Sequence, residues 1–195
     1  MKWLRKRQGQ REHDLNENAK EMFSRGDRDG ALRLWRELAT TGDGAAAANM
    51  VIECAADELY DEAFAWWGKA VERGMDIPVH EPGVRLRTMQ RRPAAEGWWR
   101  KAAEARNDDT SREYLGAALR EQGRSDEAEE WLKPGAERGH GGCARELATL
   151  YMRRKEEATG DQAKRDHAAR ALNWAQRAVV AGDARARVLL LRLDR

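Results

Sequence analysis

Residues 62–74 read EAFAWWGKAVERG, with two adjacent tryptophans, Trp66 and Trp67, in a short helical run. A second pair stands in AEGWWRKAAEAR at 95–106. Paired indoles can stack on a sugar, a base or a proline, or they can fill a core. Their spacing along the chain decides between these uses.

Take Ala63 as an origin. Offsets 3, 4, 7 and 11 fall on Trp66, Trp67, Ala70 and Gly74. From Ala95 they fall on Trp98, Trp99, Ala102 and Arg106. From Ala128 they give Trp131, Leu132, Gly135 and Gly139; from Ala171, Trp174, Ala175, Ala178 and Gly182; from Ala31, Leu34, Trp35, Leu38 and Gly42. Seven of the eight tryptophans thus occupy one of two neighbouring offsets in a five-fold repeat, and only Trp3 does not. A repeat of about 30 to 45 residues is the signature of a stacked array.

Helical geometry explains the residue types. At about 100° per residue, offsets 0, 4, 7 and 11 lie on one narrow stripe, with offset 3 at its edge. Small residues at 0 and 7 admit a neighbouring helix, and a large side chain at 4 fills the space between. Glycine at 11 suits a left-handed helix cap, and Arg106 predicts a looser cap in the third copy. The expected core is therefore Ala31, Trp35, Ala63, Trp67, Ala70, Ala95, Trp99, Ala102, Ala128, Leu132, Ala171 and Ala178. Trp67 and Trp99 are expected to be buried, and Trp66 and Trp98 somewhat more exposed.

A first helix precedes each of these second helices, with an apolar residue about eight positions past each cap: Met50, Leu115, Leu147 and Leu190. The turns RGDRDGA, ADELYDEA, QGRSDEA and TGDQAKRDHA supply Gly, Asp and Ser for turns and N-caps. The expected organisation is a basic segment over 1–11 and one repeat domain over 12–195. Its repeats span 12–42, 43–74, 75–106, 107–139 and 140–182, with a lone capping helix over 183–195. Pro78, Pro82 and Pro93 shorten the first helix of the third repeat to about Gly83–Arg91, since an internal proline removes a hydrogen bond. The excess length between Gly139 and Ala171 predicts a longer helix or loop near Arg154–His167.

SDEAEEWLKPGAERG at 125–139 and ARALNWAQRAVVAG at 169–182 resemble the second helix of Sel-like repeats, and AERGHGGCARELATLY at 136–151 the junction between them. LGAALREQGRSDEA at 115–128 resembles a tetratricopeptide repeat. The resemblance covers residues 15–195. It implies an all-α, right-handed α-solenoid of about five helix hairpins plus a C-terminal capping helix. It also implies that the first helices line a concave surface, whose open positions would include Asn16, Lys20, Ser24, His80, Arg87, Glu113, Arg120, Glu121, Arg145 and Arg153. Of these, Asn16, Lys20, Arg87, Arg120, Arg145 and Arg153 are the candidate partner-binding residues.

Charge and composition narrow the function. Lys plus Arg is 36 and Asp plus Glu 34, a net charge of +2, which argues against a dedicated nucleic-acid binder. Residues 85–101 are the local exception, with six basic side chains against Glu96. Forked guanidinium groups favour carboxylates and phosphates. The N-terminal basic residues, with Met1, Trp3 and Leu4, read as a frayed, solvated start. No apolar run follows them and none approaches a membrane span, so a cytoplasmic location is expected.

Chemistry is sparse. HGGC at 140–143 places His140 near Cys143, but Cys143 and Cys54 stand at packing positions. The four histidines have no ligand spacing, and GDGAAAAN lacks the ending of a phosphate loop. The expectation is a non-enzymatic interaction or scaffold module without cofactor or metal. It would bind an acidic peptide or partner protein through the groove or the basic edge of the third repeat. Nucleic-acid association and self-assembly through an imperfect end cap are the alternatives.

Overall fold

A computed structural model describes residues 2–193, with side chains from Gln10 to Leu193. Eleven helices and no strand lie among the described residues. The protein is all-α, and its helices divide between two compact units, Met1–Trp98 and Trp99–Arg195.

The first unit holds α1 (Lys2–Ser24), α2 (Arg28–Thr41), α3 (Gly44–Ala56), α4 (Tyr60–Glu72), α5 (Glu81–Thr88) and the first half of α6 (Arg92–Arg106). α1 packs on α2, α2 on α3, α3 on α4, and α5 returns to α3. α1 begins at Lys2 rather than after a frayed start; the basic side chains of residues 2–7 and their neighbours Met1, Trp3 and Leu4 lie outside the described side chains.

The second unit holds the rest of α6, then α7 (Asp109–Glu121), α8 (Ser125–Glu137), α9 (Gly141–Glu157), α10 (Asp161–Val180) and α11 (Ala186–Leu193). α9 is its centre and touches α7, α8, α10 and α11. The extra length of the last repeat goes into the helices: α9 has 17 residues and α10 has 20, against 13 each for α7 and α8.

The repeat stripe forms the core of each unit. Ala31, Trp35, Ala63, Trp67, Ala70 and Ala95 are buried in the first, and Trp99, Ala102, Ala128, Leu132, Ala171 and Ala178 in the second. Small residues set the helix spacing. A Cβ on Gly116 of α7 would stand 2.3 Å from Leu132 Cγ of α8, so the two helices meet only because that atom is missing.

The caps follow the repeat with two corrections. Gly42, Gly74, Gly139 and Gly182 all take positive φ, between 86° and 114°. Arg106 stays helical, and Asn107 adopts the left-handed cap at φ 52° in its place, a conformation asparagine tolerates. Side-chain N-caps, expected in the turns within hairpins, stand mostly between hairpins. Asp43 accepts from Ala46 N at 3.0 Å, Asp108 from Ser111 N at 2.6 Å and His140 Nδ1 from Cys143 N at 3.2 Å. In the hairpin turns Asp27 does this, accepting from Gly30 N at 2.9 Å, whereas Leu59, Arg124 and Gly160 make no side-chain cap.

The tryptophan pairs also differ from expectation. Trp66 is 6% exposed and Trp67 9%; Trp98 and Trp99 are at 0% and 1%. The outer ring of each pair is as buried as the inner one. Trp98 packs on Phe64, with ring centroids 4.7 Å apart. Lys69 lies over Trp66, its Nζ 4.1 Å from the ring centre.

Candidate functional site

Between α4 and α5 the chain runs through Met75–His80 without regular structure. Pro78 and Pro82 explain this: proline cannot donate into a helix and holds the residue before it extended. Pro82 is tolerated in the first turn of α5, which closes after eight residues. Two tryptophans of successive repeats hold the segment. Trp67 Nε1 donates to Ile77 O at 3.0 Å, and Trp98 Nε1 donates to Val79 O at 2.7 Å. The result is a cleft of about 200 Å³ between α3, the segment and α5, lined by Ala48, Val51, Ile52, Met75, Ile77 and Pro82. Asp76 and Glu81 also line it, as does Arg85.

Arg85 opens a cationic stretch. Arg85, Arg87, Arg91 and Arg92 are all exposed, and no side-chain hydrogen bond or ion pair engages them among the described residues, though the Arg91 charge is felt by Glu53. Met89 stands among them, 47% exposed.

The other candidate residues are engaged within the protein. Asn16 is not open: it is 4% exposed, its Oδ1 accepting from Trp35 Nε1 at 2.8 Å and from Asn49 Nδ2 at 3.1 Å. Repeat register alone could not place it, because an indole N–H turned toward α1 recruits a buried acceptor. Lys20 is exposed and pairs with Glu17 at 2.7 Å. Ser24 Oγ donates to Glu21 O at 2.8 Å.

Arg120, Arg145 and Arg153 share one network in the second unit. Arg145 Nε donates to Asp183 Oδ2 at 2.9 Å and Nη2 to Glu113 Oε1 at 2.6 Å, while Nη1 meets Glu146. Arg120 bonds the far side of Glu146 through Nε and Nη2 at 3.2 and 3.1 Å. Arg153 pairs with Glu157 at 2.7 Å and donates to Arg120 O at 3.2 Å. Arg185 completes the set, reaching Glu113 at 3.3 Å and Asp183 at 3.4 Å. Glu113 fits because residue 142 is glycine; a Cβ there would lie 1.8 Å from Glu113 Oε2.

Burial alone would lower the Arg145 guanidinium, but the carboxylates of Glu146, Asp183 and Glu113 hold it above the ordinary arginine value. Burial alone would raise Asp183, yet Arg145 and the backbone N–H of Arg185 hold it below the usual aspartate range. The charges cancel pairwise, and the network ties α7, α9 and the α10–α11 turn together. A shallow polar cleft of about 530 Å³ lies over Glu113, Asp183 and Arg185.

HGGC does not form a nucleophile. His140 accepts from the backbone N–H of Cys143, while the thiol contacts Asp109 O at 3.3 Å. Burial, reinforced by Asp109 and Glu113, pushes the Cys143 thiol far above its ordinary value; burial pushes Cys54 up to about 11. A thiol held protonated is neither nucleophile nor metal ligand. Among the described residues no group of three His, Cys, Asp or Glu side chains could hold a metal ion, and no helix is long and apolar enough to cross a membrane.

The hairpin pairing, the buried small-residue stripe and the recurring left-handed caps define an all-α protein built of repeated helix hairpins. No family model and no curated protein matches the chain. Among solved structures it is similar to YrrB, described as a TPR protein with an unusual peptide-binding site, at 20% identity and a TM-score of 0.48 over 92% of this chain and 90% of that one. It is also similar to PilF of Pseudomonas aeruginosa, at 16% identity and 0.49 over 93% and 82% of the two chains. A Sel1 repeat protein from Oxalobacter formigenes aligns at 22% identity and 0.46 over 90% and 73%.

Proposed function

We propose that the protein is a non-enzymatic interaction module that docks a partner protein on the basic edge formed by α5 and the start of α6. One observation carries this reading: Arg85, Arg87, Arg91 and Arg92 are exposed and make no side-chain ion pair, only Arg91 lying within electrostatic reach of Glu53, whereas Arg120, Arg145 and Arg153 are paired within the second unit. Surface arginines kept free of carboxylates retain their forked donors for an incoming anion. Of the two docking surfaces open to an array of this kind, the groove or the edge, this favours the edge.

The test is capture of a stoichiometric partner from source-cell extract by the full chain. The R85E/R87E/R91E variant loses that partner, and a control reversing the exposed Arg33 keeps it. Equal recovery by the triple variant would contradict the edge assignment.

Self-association is the second reading, supported by Val188 and Leu191 of α11, which are 53% and 67% exposed. Sedimentation across a dilution series tests it, with V188E/L191E as the monomeric comparison. A single sedimentation coefficient at all concentrations removes it.

A further inference from the structure

We propose that the cleft between α3 and α5 is the anchor pocket of a peptide site. It would take one branched apolar side chain of an extended segment whose acidic residues lie to one side of that anchor. This rests on the proposed docking at the α5–α6 edge and specifies its ligand.

The cleft and the arginines adjoin at Arg85, which belongs to both. The apolar lining is held open rather than collapsed, because the backbone of residues 75–80 is fixed by bonds from Trp67 and Trp98. A volume of about 200 Å³ suits one leucine- or isoleucine-sized side chain rather than a cofactor. A peptide anchored there by one residue would gain apolar burial in proportion to the area covered.

Electrostatics gives the ligand its direction. Asp76 and Glu81 lie before the body of α5, whereas Arg85, Arg87, Arg91 and Arg92 run along it and into α6. Carboxylates on the ligand are attracted toward Arg85–Arg92 and repelled at Asp76 and Glu81. An acidic tract on one flank of the anchor satisfies both, while acidic residues on both flanks do not. Single-stranded nucleic acid fits less well. It would need exposed rings for base stacking, and among the described residues of this unit the tryptophans, Trp35, Trp66, Trp67 and Trp98, are all buried.

The test uses the full chain and fluorescent synthetic peptides in anisotropy titrations. The probes are a leucine with an acidic tract on one flank, in both chain directions; the same peptides with serine for leucine; one with acidic tracts on both flanks; and an oligothymidine of matched charge. One one-sided leucine peptide is expected to bind at least tenfold tighter than its serine form and the two-sided peptide. R85E/R91E should weaken it at least tenfold, as should Ile77→Glu, with the melting temperature of each variant checked alongside. If Ile77→Glu is unfolded, the leucine-to-serine difference on the wild-type chain decides alone.

Equal binding of leucine and serine peptides, still abolished by R85E/R91E, overturns the anchor pocket and leaves the basic docking edge standing. Tightest binding by oligothymidine, or no binding by any peptide, overturns the pocket, and binding that R85E/R91E leaves unchanged overturns pocket and edge together.

Discussion

Trp98 Nε1 donates to the carbonyl of Val79 at 2.7 Å, so the outer indole of a repeat pair fastens the long irregular segment between α4 and α5. Trp67 does the same for Ile77 at 3.0 Å. These rings therefore serve both as core and as donors to a backbone that prolines have removed from helical pairing.

Removing the donor separates the two contributions. Trp98→Phe keeps most of the ring volume and should cost about 0.5–1.5 kcal/mol, the net value of one hydrogen bond. Trp98→Ala should cost about 3–5 kcal/mol as a large-to-small core change. Urea unfolding measures both, and a Trp98→Phe variant as stable as wild type would mean that the bond to Val79 contributes nothing.

Asn16 offers a second check. Asn16→Ala leaves the indole N–H of Trp35 and the amide of Asn49 without their acceptor in a buried site. The expected loss is about 1–3 kcal/mol, the cost of an orphaned buried donor. An unchanged denaturation midpoint would contradict this burial.

The Arg145 network predicts a pH dependence. Arg145→Ala removes the guanidinium shared by Asp183, Glu146 and Glu113, leaving only the contacts of Arg120 and Arg185, and should cost about 1–3 kcal/mol near neutrality. Asp183 is held below its ordinary value of 3.8 in the folded protein. Its contribution is thus complete above that ordinary value and is lost as pH falls through the lower, folded one. The gap in stability between wild type and Arg145→Ala should therefore narrow below about pH 4. Glu53 acts in the opposite sense: burial raises it despite Arg28, so its contribution falls as pH rises through the raised value. Melting temperatures from pH 3 to 7 for both proteins measure the gap, and a constant gap would exclude the Asp183–Arg145 coupling.

Both cysteines should resist alkylation in the native state. Cys143 is fully buried and Cys54 nearly so, and each thiol is held protonated at pH 8. Iodoacetamide should label them only at the rate at which the protein opens. Rapid labelling of Cys143 in the folded protein would contradict its packing against the Asp109 carbonyl and against Gly135, where a Cβ would stand 2.7 Å from its Sγ.

The sequence carried the hairpins because the repeat is written in residue size: alanine at offset 0, a large side chain near 4, a small one at 7 and glycine at 11. Those contacts are local or between adjacent helices, so spacing alone reveals them. Side-chain pairing across helices is different in kind. Nothing in the spacing of Asn16 and Trp35, 19 residues apart, announces a buried hydrogen bond between them. Nor could the run of arginines tell Arg145, enclosed by three carboxylates, from Arg87, which has none. The cleft left its trace in Pro78 and Pro82. Their spacing predicted the short α5, but not that Trp67 and Trp98 would hold the preceding segment away from α3.

The most direct test of the account is amide hydrogen exchange of the full chain with and without the one-sided acidic leucine peptide. Protection confined to residues 48–52 and 75–92 is the predicted result, with α7 and α9 unchanged. Protection centred on Glu113–Arg153, with residues 75–92 exchanging as before, would contradict it and move the binding surface to the paired arginines.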